Sequence, residues 1–219
     1  LTYSGDFIND GTVNLSAGKT LTVQGTTTWT HRNGGITGSG TLSLANGSTF
    51  VLEEDFTPGT FTLNAPNLTV NGPARFLGPT TGEFLIRSWT INAEVVVSGD
   101  LRIEGNVNFN SALNVAAGKT LRLVGDPSVG PASLTLTNGL INEGTIELTT
   151  SNVNYSASLT VTAGTLTNAP GGLIRAAQGF GGSARTLNAN LDNQGTVEVA
   201  HDLTYSGDFI NDGTVNLSA

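Results

Sequence analysis

The strongest constraint on this sequence is an exact internal repeat. Leu1–Ala17 and Leu203–Ala219 are identical residue for residue, and the two copies begin 202 positions apart. An identical run of this length does not arise by chance. Either a parent protein repeats every 202 residues, or matching ends were placed on one unit. The second copy stops in mid-pattern at Ala219, whereas Ala17 continues into a Gly-Lys-Thr turn. This difference favours a tandem repeat.

A weaker repeat divides the 202-residue unit into two diverged halves. The segment Ala17–Gly25 resembles Ala117–Gly125, and the Leu-Ile-Arg run that begins at Leu85 recurs at Leu173. We therefore divide the chain into a first half-repeat at residues 1–99, a second half-repeat at residues 100–202, and the start of the next repeat at residues 203–219. All three parts are expected to belong to one continuous solenoid.

Short alternating runs indicate strands. Thr20–Val23, Thr41–Leu44 and Val197–Val199 alternate an aliphatic side chain with a polar one, which is typical of a half-buried strand. The 29 glycines suit tight turns between such strands. A consensus of apolar residue, any residue, Asn, polar residue, Gly and Thr returns at intervals of about 18 to 28 residues, the length of one solenoid coil.

These patterns predict an all-β parallel β-helix, or β-solenoid, of about ten coils. With ~4.8 Å between stacked strands, the 202-residue period would be roughly 50 Å long. A β-sandwich is the alternative fold. A closed sandwich, however, gives no reason for an exact recurrence after 202 residues.

An asparagine two positions before a glycine recurs within this consensus. Its members are Asn9, Asn142, Asn193 and Asn211. Stacked coils would place equivalent residues above one another, so the side-chain amides could form an internal turn ladder in which each bonds its neighbour. The alternative is that each asparagine caps its own turn locally.

Charge and composition exclude several classes of partner. The formal charge is −8, from 9 basic and 17 acidic residues. Such a surface gains nothing electrostatically from nucleic acid or anionic lipid. The absence of cysteine excludes disulfides and thiolate metal sites. No targeting or membrane-spanning segment is recognisable, so no membrane insertion is expected for this segment. The chain begins at Leu1 rather than Met, as an internal or mature fragment would.

Several motifs together resemble the repeat regions of large bacterial surface proteins of the filamentous-haemagglutinin and autotransporter-passenger type. They are Ile8–Leu15, Ile141–Leu148, Ala17–Gly25 and Gly164–Ala176. The resemblance extends over nearly the whole chain. It implies a right-handed parallel β-helix, secretion, and a role in adhesion or cell-surface structure. It carries no receptor-binding motif onto this sequence.

No catalytic or cofactor motif is complete. The Gly-Lys-Thr turns at Gly18 and Gly118 lack the earlier glycine of a phosphate-binding loop. The only histidines, His31 and His201, cannot form a multi-histidine metal site. The acidic run Glu53–Asp55 could supply paired carboxylates, although adjacent acids more often mark a solvated turn. We expect no catalysis, cofactor or metal.

The residues most suited to contact a ligand are in one polar, glycine-rich segment that is predicted to form a surface loop. They are Trp29, His31 and Arg32. Trp29 could stack on a sugar ring. Trp89, by contrast, is expected to pack in the core.

Threonine pairs raise the possibility of ice binding, because a threonine ladder on a flat solenoid face can match an ice lattice. The pairs are Thr20/Thr22, Thr26/Thr28, Thr60/Thr62, Thr135/Thr137 and Thr160/Thr162. They are irregularly spaced in the sequence. Charged residues such as Arg102, Arg122 and Glu147 are expected at comparable outward positions, which argues against this function.

We therefore expect a structural repeat unit of an extracellular bacterial filament, stalk or surface fibre. Its partners would be neighbouring identical repeats, in a covalent array or by end-to-end self-association, and possibly a surface polysaccharide. The main alternative is an adhesin that binds carbohydrate or a cell-surface receptor, for which Trp29–Gly35 or Pro170–Arg185 could supply an irregular loop. A polysaccharide-degrading β-helix enzyme and an ice-binding protein are less favoured.

Overall fold

The computed structural model describes residues 1–218. These residues form thirty strands and no helix. Successive strands lie on three faces, and each coil adds one strand to the first, the second and then the third face, except that the third coil has only an isolated bridge on the third face.

The strands of the first face are β1 (Thr2–Ser4), β4 (Thr20–Gln24), β7 (Thr41–Leu44), β9 (Thr62–Asn64), β12 (Glu83–Arg87), β15 (Asp100–Glu104), β18 (Thr120–Gly125), β21 (Thr145–Thr150), β24 (Leu173–Ala176), β27 (Thr196–Val199) and β30 (Thr214–Leu217). The strands of the second face are β2 (Phe7–Asn9), β5 (Thr28–His31), β8 (Thr49–Leu52), β10 (Thr69–Asn71), β13 (Thr90–Ile91), β16 (Asn106–Phe109), β19 (Ala132–Leu136), β22 (Ala157–Val161), β25 (Arg185–Asn188) and β28 (Leu203–Ser206). The strands of the third face are β3 (Thr12–Leu15), β6 (Gly35–Gly38), β11 (Phe76–Leu77), β14 (Val95–Val97), β17 (Leu113–Val115), β20 (Leu140–Asn142), β23 (Leu166–Asn168), β26 (Leu191–Asn193) and β29 (Phe209–Asn211).

Every strand pair is parallel and joins equivalent strands of neighbouring coils, but β9 and β12 on the first face and β6 and β11 on the third face are not paired. The second face is one uninterrupted sheet of ten strands. Paired residues are as few as 17 positions apart, as for Phe84 and Leu101, and as many as 28 apart, as for Ile146 and Ile174. The predicted parallel β-helix of about ten coils is therefore confirmed. Its right-handedness stays a prediction.

The alternation seen in the sequence places aliphatic side chains inside all three faces. On the first face Leu121, Ile146, Ile174 and Val197 stack in successive coils, and all are buried. The interior forms one continuous apolar core along the axis. Each fully buried aliphatic side chain contributes about 1.5–3 kcal/mol relative to an exposed one. A coil buries its apolar side only when it has neighbours, which is why stability depends on stacking.

The two identical segments occupy different faces. Leu1–Leu15 runs through the first, second and third faces, whereas Leu203–Leu217 runs through the second, third and first. The chain completes nine coils between β1 and β27, and β28 lies one face further on. The 202-residue offset therefore corresponds to nine coils and one third of a coil.

The ladder is interrupted at one place on the first face. Strands β9 and β12 are not hydrogen-bonded neighbours, so this face consists of a four-stranded and a seven-stranded sheet. Aromatic rings fill the interior beside the interruption. Phe56 packs against Phe50 and Phe76 with ring centroids 5.0 and 5.6 Å apart, and Phe76 lies 5.9 Å from Phe84. These large side chains keep the core closed where one sheet ends.

Close approach between coils gives a test of the stacking. A Cβ atom added at Gly99 would lie 1.8 Å from the carbonyl oxygen of Pro79. Gly99→Ala must therefore displace backbone, and we expect it to lower the free energy of unfolding by about 1–3 kcal/mol, the usual cost of overpacking. Gly11→Ala is the control, because a Cβ there meets nothing within 4 Å. Equal denaturation midpoints for the two variants would contradict this packing.

Candidate functional surfaces

Trp29 and His31 are not surface residues. They lie in β5 with their side chains inside the solenoid, where Trp29 is 1% and His31 is 4% exposed. Trp29 stacks on Phe7 at a centroid distance of 4.2 Å, and His31 meets Phe56 edge-on at 5.1 Å. The prediction of a surface loop was wrong, because Trp29 and His31 occupy the inward positions of an alternating strand.

Burial also sets the ionisation of this histidine. Loss of solvent lowers the pKa of His31, and its Nδ1 atom has no hydrogen-bond partner. Burial favours the neutral imidazole, and the inward position of His31 does not let it contact a ligand outside the solenoid. The predicted core position of Trp89 is confirmed, and its indole N–H donates to the carbonyl oxygen of Ala65 at 2.8 Å.

Arg32 is the one member of the predicted contact group at the surface. Its Nε donates to Oδ1 of Asp10 in the neighbouring coil at 2.6 Å, and both side chains are about half exposed. The hydrogen bond from Arg32 lowers the pKa of Asp10. This pair ties two coils together at their corner, so the guanidinium is already engaged.

An asparagine ladder runs inside the third face. Asn142, Asn168, Asn193 and Asn211 lie one above another, and each amide nitrogen donates to the next amide oxygen at 2.7, 2.7 and 2.6 Å. Asn142, Asn168 and Asn193 are fully buried. Asn168 was missed from the sequence because its first following glycine, Gly171, comes three positions later rather than two.

Asn9 does not belong to this ladder, so its assignment was wrong. It lies on the second face opposite His31, and its amide nitrogen donates to the carbonyl oxygen of Gly35 at 3.4 Å. The reason is the shift of one face between the identical segments, which puts Asn9 and Asn211 in different ladders. A separate, exposed ladder joins Asn92 to Asn71 at 2.6 Å and Asn110 to Asn92 at 2.7 Å.

The first face carries a stripe of paired charges. Arg122 contacts Glu83 at 2.9 Å and Glu147 at 2.8 Å, while Arg175 contacts Glu198 at 3.2 Å. Exposed pairs of this kind contribute little individually, typically below about 1 kcal/mol. The stripe links successive coils and leaves few unpaired cations on this face.

Glu104 anchors one end of the stripe. Its carboxylate is only 2% exposed and accepts from Arg102 Nε at 2.7 Å and Arg87 Nε at 3.0 Å. The two guanidinium groups compensate the buried charge, as a carboxylate removed from water requires. The geometry is that of a structural ion pair.

Asp126, directly after β18, is the carboxylate whose pKa is lowered most. It accepts from the Ser151 hydroxyl at 2.7 Å and from the Ser128 backbone N–H at 2.9 Å, and Arg102 lies 3.4 Å away. These contacts, the Ser151 hydrogen bond first, lower the pKa of Asp126 from 3.8 to about 2. They fix the turn between β18 and β19.

A groove lies at the interruption of the first face. It has a volume of about 400 Å³ and is lined by residues on both sides of the missing strand pair, including Leu63, Leu85 and Trp89. A second groove of about 380 Å³ lies along the same interruption nearer Phe61 and Phe84. Leu85 points outward from β12 and is 37% exposed.

The outward side of the second face carries a regular polar array. Its middle row contains Thr28, Thr49, Thr69, Thr90, Asn108, Thr135, Thr160, Asn188 and Ser206, each paired in register with the next. We call this row and its flanking polar residues the second-face array. The only charged side chain in the ten strands of this face is Arg185, which is buried.

This arrangement corrects the argument made against threonine ladders. Arg102, Arg122 and Glu147 lie on the first face and do not interrupt the second-face array. Thr135 and Thr160, far apart in sequence, are direct neighbours. Thr20 and Thr22 in β4 and Thr62 in β9 belong to the first face, whereas Thr28, Thr135 and Thr160 belong to the array. Within the array, the intervals along the chain are unequal because the coil lengths vary.

In the acidic run Glu53–Asp55 and in the Pro170–Arg185 segment, one charged side chain each is engaged in hydrogen bonds within the protein. In the acidic run, Asp55 Oδ1 accepts from the backbone N–H of Arg75 at 2.9 Å, and the Arg75 side chain lowers the pKa of Asp55. In the Pro170–Arg185 segment, Phe180 is 70% exposed at the tip of a loop. The buried Arg185 holds this loop by donating to the carbonyl oxygens of Ala177 and Gln178 at 3.0 and 2.8 Å.

Residues 1–218 contain no cluster of three or more His, Asp or Glu side chains that could hold a metal ion. Nor do the described residues include an apolar helix of membrane-spanning length. No protein family, curated protein or solved structure matches the chain.

The buried asparagine ladder can be tested by two alanine substitutions. Asn168→Ala removes one buried hydrogen bond from each of the amides of Asn142 and Asn193, so we expect a loss of about 2–4 kcal/mol in unfolding free energy. Asn92→Ala is the matched control, because water replaces the lost partners of Asn71 and Asn110. We expect it to cost less than about 1 kcal/mol. Chemical denaturation measures both, and an equal loss would show that burial does not set the cost.

The lowered pKa of Asp126 predicts a pH dependence. Because the folded pKa is below the ordinary value of 3.8, ionised Asp126 stabilises the fold above about pH 4, and that contribution disappears as the pH falls towards about 2. Asp126→Asn should remove up to about 2 kcal/mol of this pH-dependent stability. Ser151→Ala should remove part of it. Urea denaturation between about pH 2 and pH 5 measures the slope, and an unchanged slope in both variants would refute the assignment.

Proposed function

We propose that this chain is a structural repeat of an extracellular bacterial filament or surface fibre, in which covalently linked solenoid repeats form a stiff rod without catalysis. The observation that supports this most is the position of the repeated segment. Its second copy, in β28, β29 and β30, stacks in register on β25, β26 and β27. Its first copy, in β1, β2 and β3, supports β4, β5 and β6.

The repeated segment thus pairs with the following coil in its first copy and with the preceding coil in its second copy. In a tandem array the copy at Leu203–Leu217 would do both at once, and no adapter between repeats would be needed. An end coil without a neighbour exposes unpaired strand edges, which favour further pairing. We propose that successive repeats satisfy these edges covalently, and end-to-end association of separate chains is the alternative.

The shift of one face gives this rod a defined symmetry. Each repeat of nine and one third coils would advance by about 45 Å at ~4.8 Å per coil. Equivalent features of successive repeats would be rotated by one face, and three repeats would restore the original orientation. A marker such as the loop around Phe180 would therefore follow a helical path around the fibre. In this proposal the boundary at residue 100 separates the half-repeats 1–99 and 100–202, and residue 203 begins the next repeat of the same rod.

Receptor or carbohydrate binding is the second candidate function. The observation that favours it is the pair of grooves at the interruption between β9 and β12, with the exposed Leu85 between them. These grooves replace the two loops expected from the sequence as the place where coil regularity breaks. An adhesin of this design would present one such groove in each repeat.

The axial repeat of linked copies tests the structural proposal. We would compare, by electron microscopy, chains that contain one and three consecutive 202-residue units. The three-unit chain should be a straight rod about 90 Å longer, because each added unit contributes about 45 Å. A chain of globular beads joined by bends, or no increase in length, would contradict the continuous solenoid.

A further inference from the structure

We propose that the second-face array is a binding surface for crystalline ice. The proposal is independent of the filament, since it depends only on the outward side of one sheet within a single chain. The array extends over nine rungs, from Thr28 in β5 to Ser206 in β28.

The rows of the array have two regular spacings. Along a row, neighbouring side chains are separated by the distance between parallel strands, about 4.8 Å. Across rows, alternate residues on one strand are about 6.6 Å apart. Thr135 thus has Thr160 beside it in its row and Ser133, on the same strand, in the adjacent row. An ordered solid with a repeating arrangement of hydrogen-bonding groups is the ligand that such a two-dimensional lattice can match.

The side chains of the array are held in place before any ligand arrives. Threonine is stiff about χ1 because of its branched Cβ, so its hydroxyl and methyl groups lose little freedom on binding. Hydrogen bonds between coils orient others. Asn188 donates to the Thr160 hydroxyl at 3.3 Å, Ser206 donates to Asn188 at 2.6 Å, and Thr162 donates to the Leu136 carbonyl oxygen at 3.0 Å.

The distribution of charge and aromatic residues distinguishes ice from other occupants. The ion pairs of Arg122 and Arg175 lie on the first face, and the exposed pairs Arg32–Asp10 and Arg75–Asp55 lie at the corner beyond the second face. Arg185, the only charged residue in the strands of the second face, is buried. A charged partner would find no complementary group there. Trp29, Phe50 and Phe109 in the second-face strands are buried, and Phe7 and Tyr205, in the first and last of these strands, are partly buried and pack against the core. No aromatic ring therefore stands on the outward side of this face as a platform for a polysaccharide. Hydroxyls, amides and methyl groups in a neutral lattice are suited to ordered water.

Single bulky substitutions test this surface. Thr135→Tyr and Thr69→Tyr place a large side chain in the middle row at two separate coils. Thr167→Tyr is the matched control, because Thr167 has similar partial exposure at an outward strand position on the third face. Circular dichroism confirms that each variant folds. The readouts are thermal hysteresis, the shape of single ice crystals in the presence of the 219-residue chain, and the fraction of protein incorporated into slowly grown ice.

We expect the unsubstituted chain to facet ice crystals, to show thermal hysteresis and to partition into ice. Thr135→Tyr or Thr69→Tyr should lose most of this activity, and Thr167→Tyr should keep it. Exclusion of the unsubstituted chain from ice would overturn the proposal, even if it bound cellulose or chitin instead. Full activity of both folded middle-row variants, or loss of activity in the Thr167→Tyr control alone, would also overturn it.

Discussion

The parallel backbone ladder between coils is the interaction on which the rest of this structure depends. Strands of two to six residues cannot bury enough surface by themselves. Stacking puts each aliphatic residue against its equivalent in the next coil and closes one core along the axis. Coil length ranges from 17 to 28 residues, because only the strand positions are constrained. The differences in length are absorbed by turns at the corners.

Stacking also sorts the polar residues, because an outward position in one coil lies beside the same position in the next. The first face gathers paired charges, such as Arg122 with Glu147. The second face gathers threonine, serine and asparagine, and the interior of the third holds the ladder that includes Asn168. The in-register pairing of successive coils therefore gives each face its own rows of chemically similar side chains. A surface with a regular lattice and a surface with ion pairs can coexist on one thin rod.

Much of the fold could be predicted from sequence, because repetition and alternation are local signals. The exact repeat, the period-two runs and the Asn-Gly turns predicted a β-solenoid of about ten coils, as found. The positions of the candidate ligand-contacting residues were harder to predict. Trp29 and His31 lie near glycines and looked like loop residues, but their inward direction depends on strand boundaries. The second-face array was hidden because coils of unequal length place Thr90, Asn108 and Thr135 at unequal intervals along the chain. The shift of one face between the identical segments depends on the number of strands between them, which only the structure gives.

Amide hydrogen exchange on a chain of two linked repeats tests the central claim most directly, because protection reports local stability. The segment Leu203–Leu217 is a terminal coil in one chain and an interior coil in the other, with no change in its sequence. If stacking between coils provides the stability, its amides will exchange rapidly at the end of a single repeat. At the internal junction they will be as protected as those of central strands such as β18. Rapid exchange at the junction would contradict a continuous solenoid.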